Sequence, residues 1–160
     1  MTTQNATNDR CSETLIIGIG NKYRSDDSIG LLVARKLHDL HLPGVLIIEE
    51  NGDGTILLQL WKKYSSVILI DAVRSGADAG KIHRMDLRDQ MLPKEYFRFS
   101  THHFSLADAV QLSRIMSDLP EHIIFYGIEG NNFNAGTGLS PEVSEALQKL
   151  VTAISYDVNS

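Results

Sequence analysis

Short apolar runs alternate along this chain with stretches whose apolar residues recur every three or four positions. Residues 14–19 (Thr-Leu-Ile-Ile-Gly-Ile) are apolar, β-branched and closed by a glycine-containing turn, which predicts a buried parallel strand. Residues 20–27 are polar and loop-like. Over 28–40, Ile29, Leu32, Val33 and Leu37 share one helical face, with the Lys36 stem beside it and Leu40 closing it. Pro43 and Gly44 then break the chain. Residues 45–48 predict a second buried strand ending at Glu49 and Glu50, and residues 51–54 (Asn-Gly-Asp-Gly) a turn. Residues 55–63 read as a short helix carrying Leu57, Leu60 and Trp61. Residues 67–70 predict a third strand ending at Asp71, followed by a loop over 75–80. Weak alternation over 81–86 fits an edge strand. Residues 87–101 are irregular or hold a short helix, and 102–117 read as a helix through Leu106, Val110, Ser113 and Ile115. Residues 122–128 predict another strand, and a Gly- and Asn-rich loop covers 129–138. Ser140, Pro141 and Glu142 then supply an N-cap, a first-position proline and a first-turn acid for a last helix packed through Val143, Leu147, Leu150, Val151 and Ile154.

Strands alternating with helices predict an α/β domain: a three-layer α/β/α sandwich around a mainly parallel sheet. At 160 residues the chain has room for one domain, read as 14–157, behind a polar and flexible N-terminal tail over 1–13 that lacks the apolar core of a secretory signal. Hydrophobic residues make up 42% and charged residues 22%, which is ordinary globular usage and excludes a disordered or low-complexity chain. The net charge of −5 is spread over both halves, so no basic face exists to neutralise phosphates and a nucleic-acid partner is excluded. The one cysteine, Cys11, permits no intrachain disulfide, which fits a cytoplasmic location. No apolar run approaches the roughly 18 residues of a membrane span.

In a parallel sheet the functional loops gather beyond the carboxyl ends of the strands. The first such loop carries Gly18 and Gly20, yet Tyr23 stands where a dinucleotide fingerprint needs its third glycine, and two adjacent carboxylates would repel a pyrophosphate. Asp26 and Asp27 sit where they can cap the next helix or favour its dipole; Asp27 can equally turn inward as a ligand. Asp71 ends an apolar strand, where a carboxylate requires a cation or loop amides to satisfy it. His102 and His103 lie between an aromatic run and a helix start. No His-Glu-x-x-His, Cys-x-x-Cys or Gly-x-Ser-x-Gly pattern is present. What remains is a trio, Asp27, Asp71 and His102, on three strand–helix junctions. Two carboxylates and one imidazole suit a borderline divalent ion such as zinc or nickel, with positions left open.

The segment from Leu15 to Gly30 (Leu-Ile-Ile-Gly-Ile-Gly-Asn-Lys-Tyr-Arg-Ser-Asp-Asp-Ser-Ile-Gly) closely resembles the opening motif of the hydrogenase maturation proteases, which trim the large subunit of nickel–iron hydrogenases. Residues 68–72, 100–108 and 138–143 resemble the family's second acidic motif, its histidine motif and the start of its final helix. The resemblance covers about residues 14 to 155. It implies a phosphorylase/hydrolase-like fold and an endopeptidase that removes a C-terminal extension from a nickel-loaded large-subunit precursor. It assigns catalysis and metal binding to Asp27, Asp71 and His102. Gly20, Asn21, Asp26 and His103 fall to substrate binding or loop shaping. The nickel is recognised in the substrate, and no nucleotide is required. Two other functions fit the same sheet: a nucleotide- or S-adenosylmethionine-binding enzyme using the strand-end glycines and Glu49–Glu50, and a non-catalytic chaperone that docks on a hydrogenase subunit.

Overall fold

The computed structural model describes residues 10–160. Five strands and four helices follow in the order β1 (Cys11–Ile19), α1 (Ile29–His38), β2 (Val45–Glu50), α2 (Gly54–Trp61), β3 (Tyr64–Val73), β4 (Ile82–Asp86), α3 (Leu106–Ile115), β5 (His122–Glu129) and α4 (Pro141–Asn159). Single 3-10 turns lie at Ser25–Ser28 and Lys94–Phe97. The sheet order is β2-β1-β3-β5-β4; β4 alone runs antiparallel, pairing with β5 at the edge.

The period of two along each strand divides the core into two layers. Leu15, Ile17, Val67, Leu69 and Phe125 meet Leu57 and Trp61 of α2 and Leu106 and Val110 of α3. Ile16, Ile68, Ile70 and Tyr126 meet Ile29, Val33 and Leu37 of α1 and Val143, Leu150 and Ile154 of α4. The expected three-layer sandwich is therefore formed. Each of these fully buried aliphatic side chains contributes about 1.5–3 kcal/mol of transfer free energy. On the first face, the buried Trp61 donates its indole N–H to Ser113 Oγ at 3.0 Å, tying α2 to α3.

Several boundaries differ from those read in the sequence. β1 opens at Cys11, whose N–H donates to the Lys63 carbonyl, so residues 11–13 of the expected tail belong to the sheet; residues 1–9 of that tail lie outside the described residues. The buried face of α1 carries Leu31 and Ala34 in place of Lys36 and Leu40, and Leu40 is 50% exposed. β3 does not stop at Asp71. It continues to Val73 because β5 runs alongside, setting Asp71 opposite Gly127 and Val73 opposite Glu129. α3 starts at Leu106 rather than 102. Ser105 and Asp108 form a reciprocal capping box that fixes the first turn and leaves His102 in the preceding loop.

One close approach places the site. A Cβ on Gly30 would stand 2.2 Å from the Ile19 carbonyl oxygen and 2.5 Å from that of Ile70. Glycine thus lets the start of α1 press against the ends of both β1 and β3. These are the two strands between which the chain reverses its direction of travel across the sheet, the usual crevice of an open α/β fold.

Candidate active site

The loop after β1 is built by contacts that require small residues. A Cβ on Gly20 would meet the Asp27 carbonyl oxygen at 2.0 Å, and the Asn21 N–H donates to that same oxygen at 3.2 Å. The turn Ser25–Ser28 then separates two adjacent carboxylates. Asp26 accepts hydrogen bonds from the Asn131 and Asn132 N–H groups at 2.8 Å each, and from the Ser140 N–H and hydroxyl at 2.7 Å each. Burial acts to raise its pKa, but the Ser140, Asn132 and Asn131 bonds outweigh it and hold the carboxyl below its ordinary value. Asp26 therefore does not cap α1, as expected from its position; it secures the start of α4. Ser140 is the N-cap residue of α4 but makes no side-chain cap bond of its own.

Asp27 takes the other direction. It lines a pocket together with Asp71 and His102, walled by Gly20, Asn21, Arg24, Asn51, Gly52, Phe97 and Phe99. The three residues singled out by type and position therefore do share one cavity. Burial pushes the Asp27 carboxyl up to about 6, against the opposing pull of Arg24, the Asn21 N–H and His102. Asp71 is raised well above the carboxylate range by burial and then by the Asp27 charge; only the Ala72 N–H opposes this. The two thus hold a proton to higher pH than surface carboxylates do. One ionised and one protonated carboxylate in one pocket can serve as general base and general acid.

His102 lies at the same pocket with its ring oriented by Nε2, 2.8 Å from the Asn51 carbonyl oxygen. A carbonyl only accepts, so Nε2 carries the hydrogen of this bond and Nδ1 is left outside it. Among the described residues, no three His, Cys, Asp or Glu side chains stand close enough to hold a metal ion. Two carboxylates that mutual repulsion keeps from ionising together do fit a cation, which would relieve that repulsion. Of the remaining expected residues, Gly20 and Asn21 line the pocket, while His103 is exposed and lies in a neighbouring groove with Lys94 and Arg98. The strand-end glycines serve close packing: the space beside Gly20 holds the Asp27 backbone, and that beside Gly18 holds Gly30 and Ala34.

Residue patterns did not single out Arg24, Asn51 or the pair Phe99 and Phe133, whose rings stack at 4.1 Å. Their shared signal is location, since all lie in loops beyond the carboxyl ends of strands or at the approach to α3.

The family model for HycI, described as a hydrogenase maturation protease, matches residues 31–156. This chain belongs to the hydrogenase maturation protease family. The match begins beyond Asp27 and spans Asp71 and His102. The family is one of peptidases, so the chain is a hydrolase. Its fold is similar to the hydrogenase maturating endopeptidase HybD from E. coli, with a TM-score of 0.75, 21% identity and 89% of each chain covered. It is also similar to the nickel–iron hydrogenase maturation protease HycI from Thermococcus kodakarensis KOD1, with a TM-score of 0.71, 25% identity, and 93% of this chain and 94% of that one covered. A curated relative, the hydrogenase expression/formation protein HupD of Bradyrhizobium diazoefficiens, is 20% identical over 146 residues, which are 88% of this chain and 75% of that protein. No helix among the described residues is long and apolar enough to cross a membrane.

Proposed function

We propose that this chain is the endopeptidase that removes the C-terminal extension of a nickel-loaded nickel–iron hydrogenase large-subunit precursor, working in the cytoplasm. The observation that carries this reading is the pair Asp27 and Asp71, buried in one pocket, whose protons are held by burial and, at Asp71, also by the charge of Asp27. Family membership supports the reaction class, and the names of the similar proteins support the choice of a hydrogenase precursor.

In this reading the nickel is the substrate's own cargo. Asp27 and Asp71, which line the pocket together, would face it from this chain, His102 lies on the same pocket wall, and the precursor supplies its own ligands. Each carboxylate has two oxygens, so one can face the cation while the other exchanges a proton. Asp27 takes a proton from water as the water adds to the scissile carbonyl. Asp71 then gives its proton to the leaving amine. Gly20, Asn21 and Asp26 keep Asp27 in place, and exposed His103 meets the flanking peptide.

The test is the intact mass of a nickel-loaded large-subunit precursor after incubation with this protein, with Asp27→Ala alongside. Loss of one C-terminal peptide with the wild type only is the expected result. An unchanged mass overturns the reading. If the two proteins still co-elute in that case, a chaperone takes its place.

A further inference from the structure

We propose that Arg24 is a catalytic residue of this reaction, holding the scissile carbonyl oxygen and stabilising the negative charge that develops on it. The inference rests on the proteolytic reading above and names a group that the reading lacks. Two carboxylates can move protons, but neither supplies a fixed positive charge to a developing oxyanion, and the Asp71 proton is needed by the leaving amine.

Arg24 is the one lysine or arginine among the residues lining the pocket. It forms none of the ion pairs among the described residues. It is held from two sides. Nε donates to the Phe133 carbonyl oxygen at 3.3 Å and Nη1 to the Phe99 carbonyl oxygen at 3.2 Å. Those carbonyls belong to two different loops, joined by the ring stack of the same two residues. The backbone is fixed as well, since the Arg24 N–H donates to the Asn21 carbonyl at 3.2 Å. These bonds leave the two Nη2 hydrogens uncommitted on a half-buried, oriented cation. A guanidinium stays charged, so it donates without giving up a proton. The side-chain amides at the pocket are weaker donors: Asn21 and Asn51 are neutral and exposed. Oriented donors aimed at developing charge in a water-poor site are the strongest single contribution to many hydrolytic reactions.

The step balances within the groups named. Water oxygen bonds to the carbonyl carbon, the C=O π pair moves onto the oxygen facing Arg24, and the water proton passes to Asp27. Collapse restores the C=O bond and breaks the C–N bond, and the amine leaves with the Asp71 proton.

The experiment compares wild type, Arg24→Ala, Arg24→Lys and Arg24→Gln on the nickel-loaded precursor, separating kcat from KM, with thermal unfolding of each. Arg24→Ala is expected to lose about 10²- to 10³-fold in kcat with KM changed only a few-fold. Millimolar guanidinium chloride, far below denaturing levels, is expected to restore a measurable part of that loss in Arg24→Ala and to leave wild type unchanged. Arg24→Lys is expected to outperform both Arg24→Ala and Arg24→Gln. Wild-type kcat in Arg24→Ala overturns the proposal. So does a loss confined to KM, or Arg24→Lys no better than Arg24→Gln with no guanidinium rescue, which would mark Arg24 as a loop clamp. If Arg24→Ala is unfolded, the comparison of Lys with Gln decides alone. A wild type that leaves the precursor intact removes the proteolytic reading itself, and this inference with it.

Discussion

Ser140 donates both its backbone N–H and its hydroxyl to the carboxylate of Asp26, each at 2.7 Å, across 114 residues of chain. The residue immediately before the reactive carboxylate is thereby fastened to the start of the last helix. Adjacent aspartates that look interchangeable in the sequence have different tasks, one anchoring and one chemical.

The anchoring task is measurable. Asp26→Asn keeps the shape but turns an amide N–H toward the Ser140 donors. It is expected to lower stability at pH 7 by about 2–4 kcal/mol in urea unfolding, since charge-assisted bonds to a buried group are lost. The wild-type carboxyl is depressed in the folded state, so its contribution is present above the unfolded pKa and disappears as pH falls through the folded value. The gap between the two proteins should therefore narrow as the pH falls below the ordinary 3.8. An equal gap at pH 7 and pH 2.5 would contradict this.

Asp27 has the opposite sign. Its folded pKa of about 6 lies above the ordinary 3.8, so as pH rises between those values the unfolded chain releases its proton first and stability falls. Two pH units correspond to about 3 kcal/mol as an upper figure. Asp27→Asn is expected to match wild type near pH 3.5, to be more stable above pH 6 and to be inactive. Thermal midpoints across that range, with cleavage measured at pH 7, check it. A variant less stable than wild type at neutral pH would be against it.

The His102 ring has a tether and a free nitrogen, and substitution can separate them. His102→Ala loses both, costing about 1 kcal/mol through the Asn51 bond and nearly all cleavage. His102→Gln can donate to the same carbonyl but offers no imidazole lone pair. It is expected to recover stability and not activity. Recovery of cleavage in the glutamine variant would reduce His102 to a support for the Asn51–Gly52 turn.

Gly20→Ala is a control on geometry. Its Cβ would fall 2.0 Å from the Asp27 backbone oxygen, so the loop must shift and carry Asp27 with it. Overpacking of this kind costs about 1–3 kcal/mol. We expect a folded protein, by circular dichroism, whose precursor cleavage drops by more than tenfold.

The layered fold is legible in the sequence because buried parallel strands are apolar on both faces and appear as uninterrupted runs. The convergence of Asp27, Asp71 and His102 follows from topology, since each lies near the carboxyl end of a strand or the approach to a helix. Other features depend on partners distant in the chain. Asp71 looks terminal because apolarity stops at Ile70, but β5 supplies a ladder partner as far as Glu129. Ser140 looks like an ordinary N-cap until Asp26 occupies its hydroxyl. Leu40 satisfies the helical period yet lies beyond the last residue of α1, His38, where the helix no longer faces the sheet. Arg24 reads as a loop cation until Phe99 and Phe133 present their carbonyls to it.

The bond between Asp26 and the segment 131–140 also has a temporal meaning. The turn bearing Asp27 is held by residues that a ribosome adds more than a hundred positions later. Contacts this distant in sequence form late, after most of the loop-closure entropy has been lost. A partial chain ending before residue 131 can pair β1 with β2 and β3 but cannot lock the Asp27 turn. Proteolytic competence therefore waits until the segment 131–140 has been made, so a chain that stops short of it has no formed site with which to cut its neighbours.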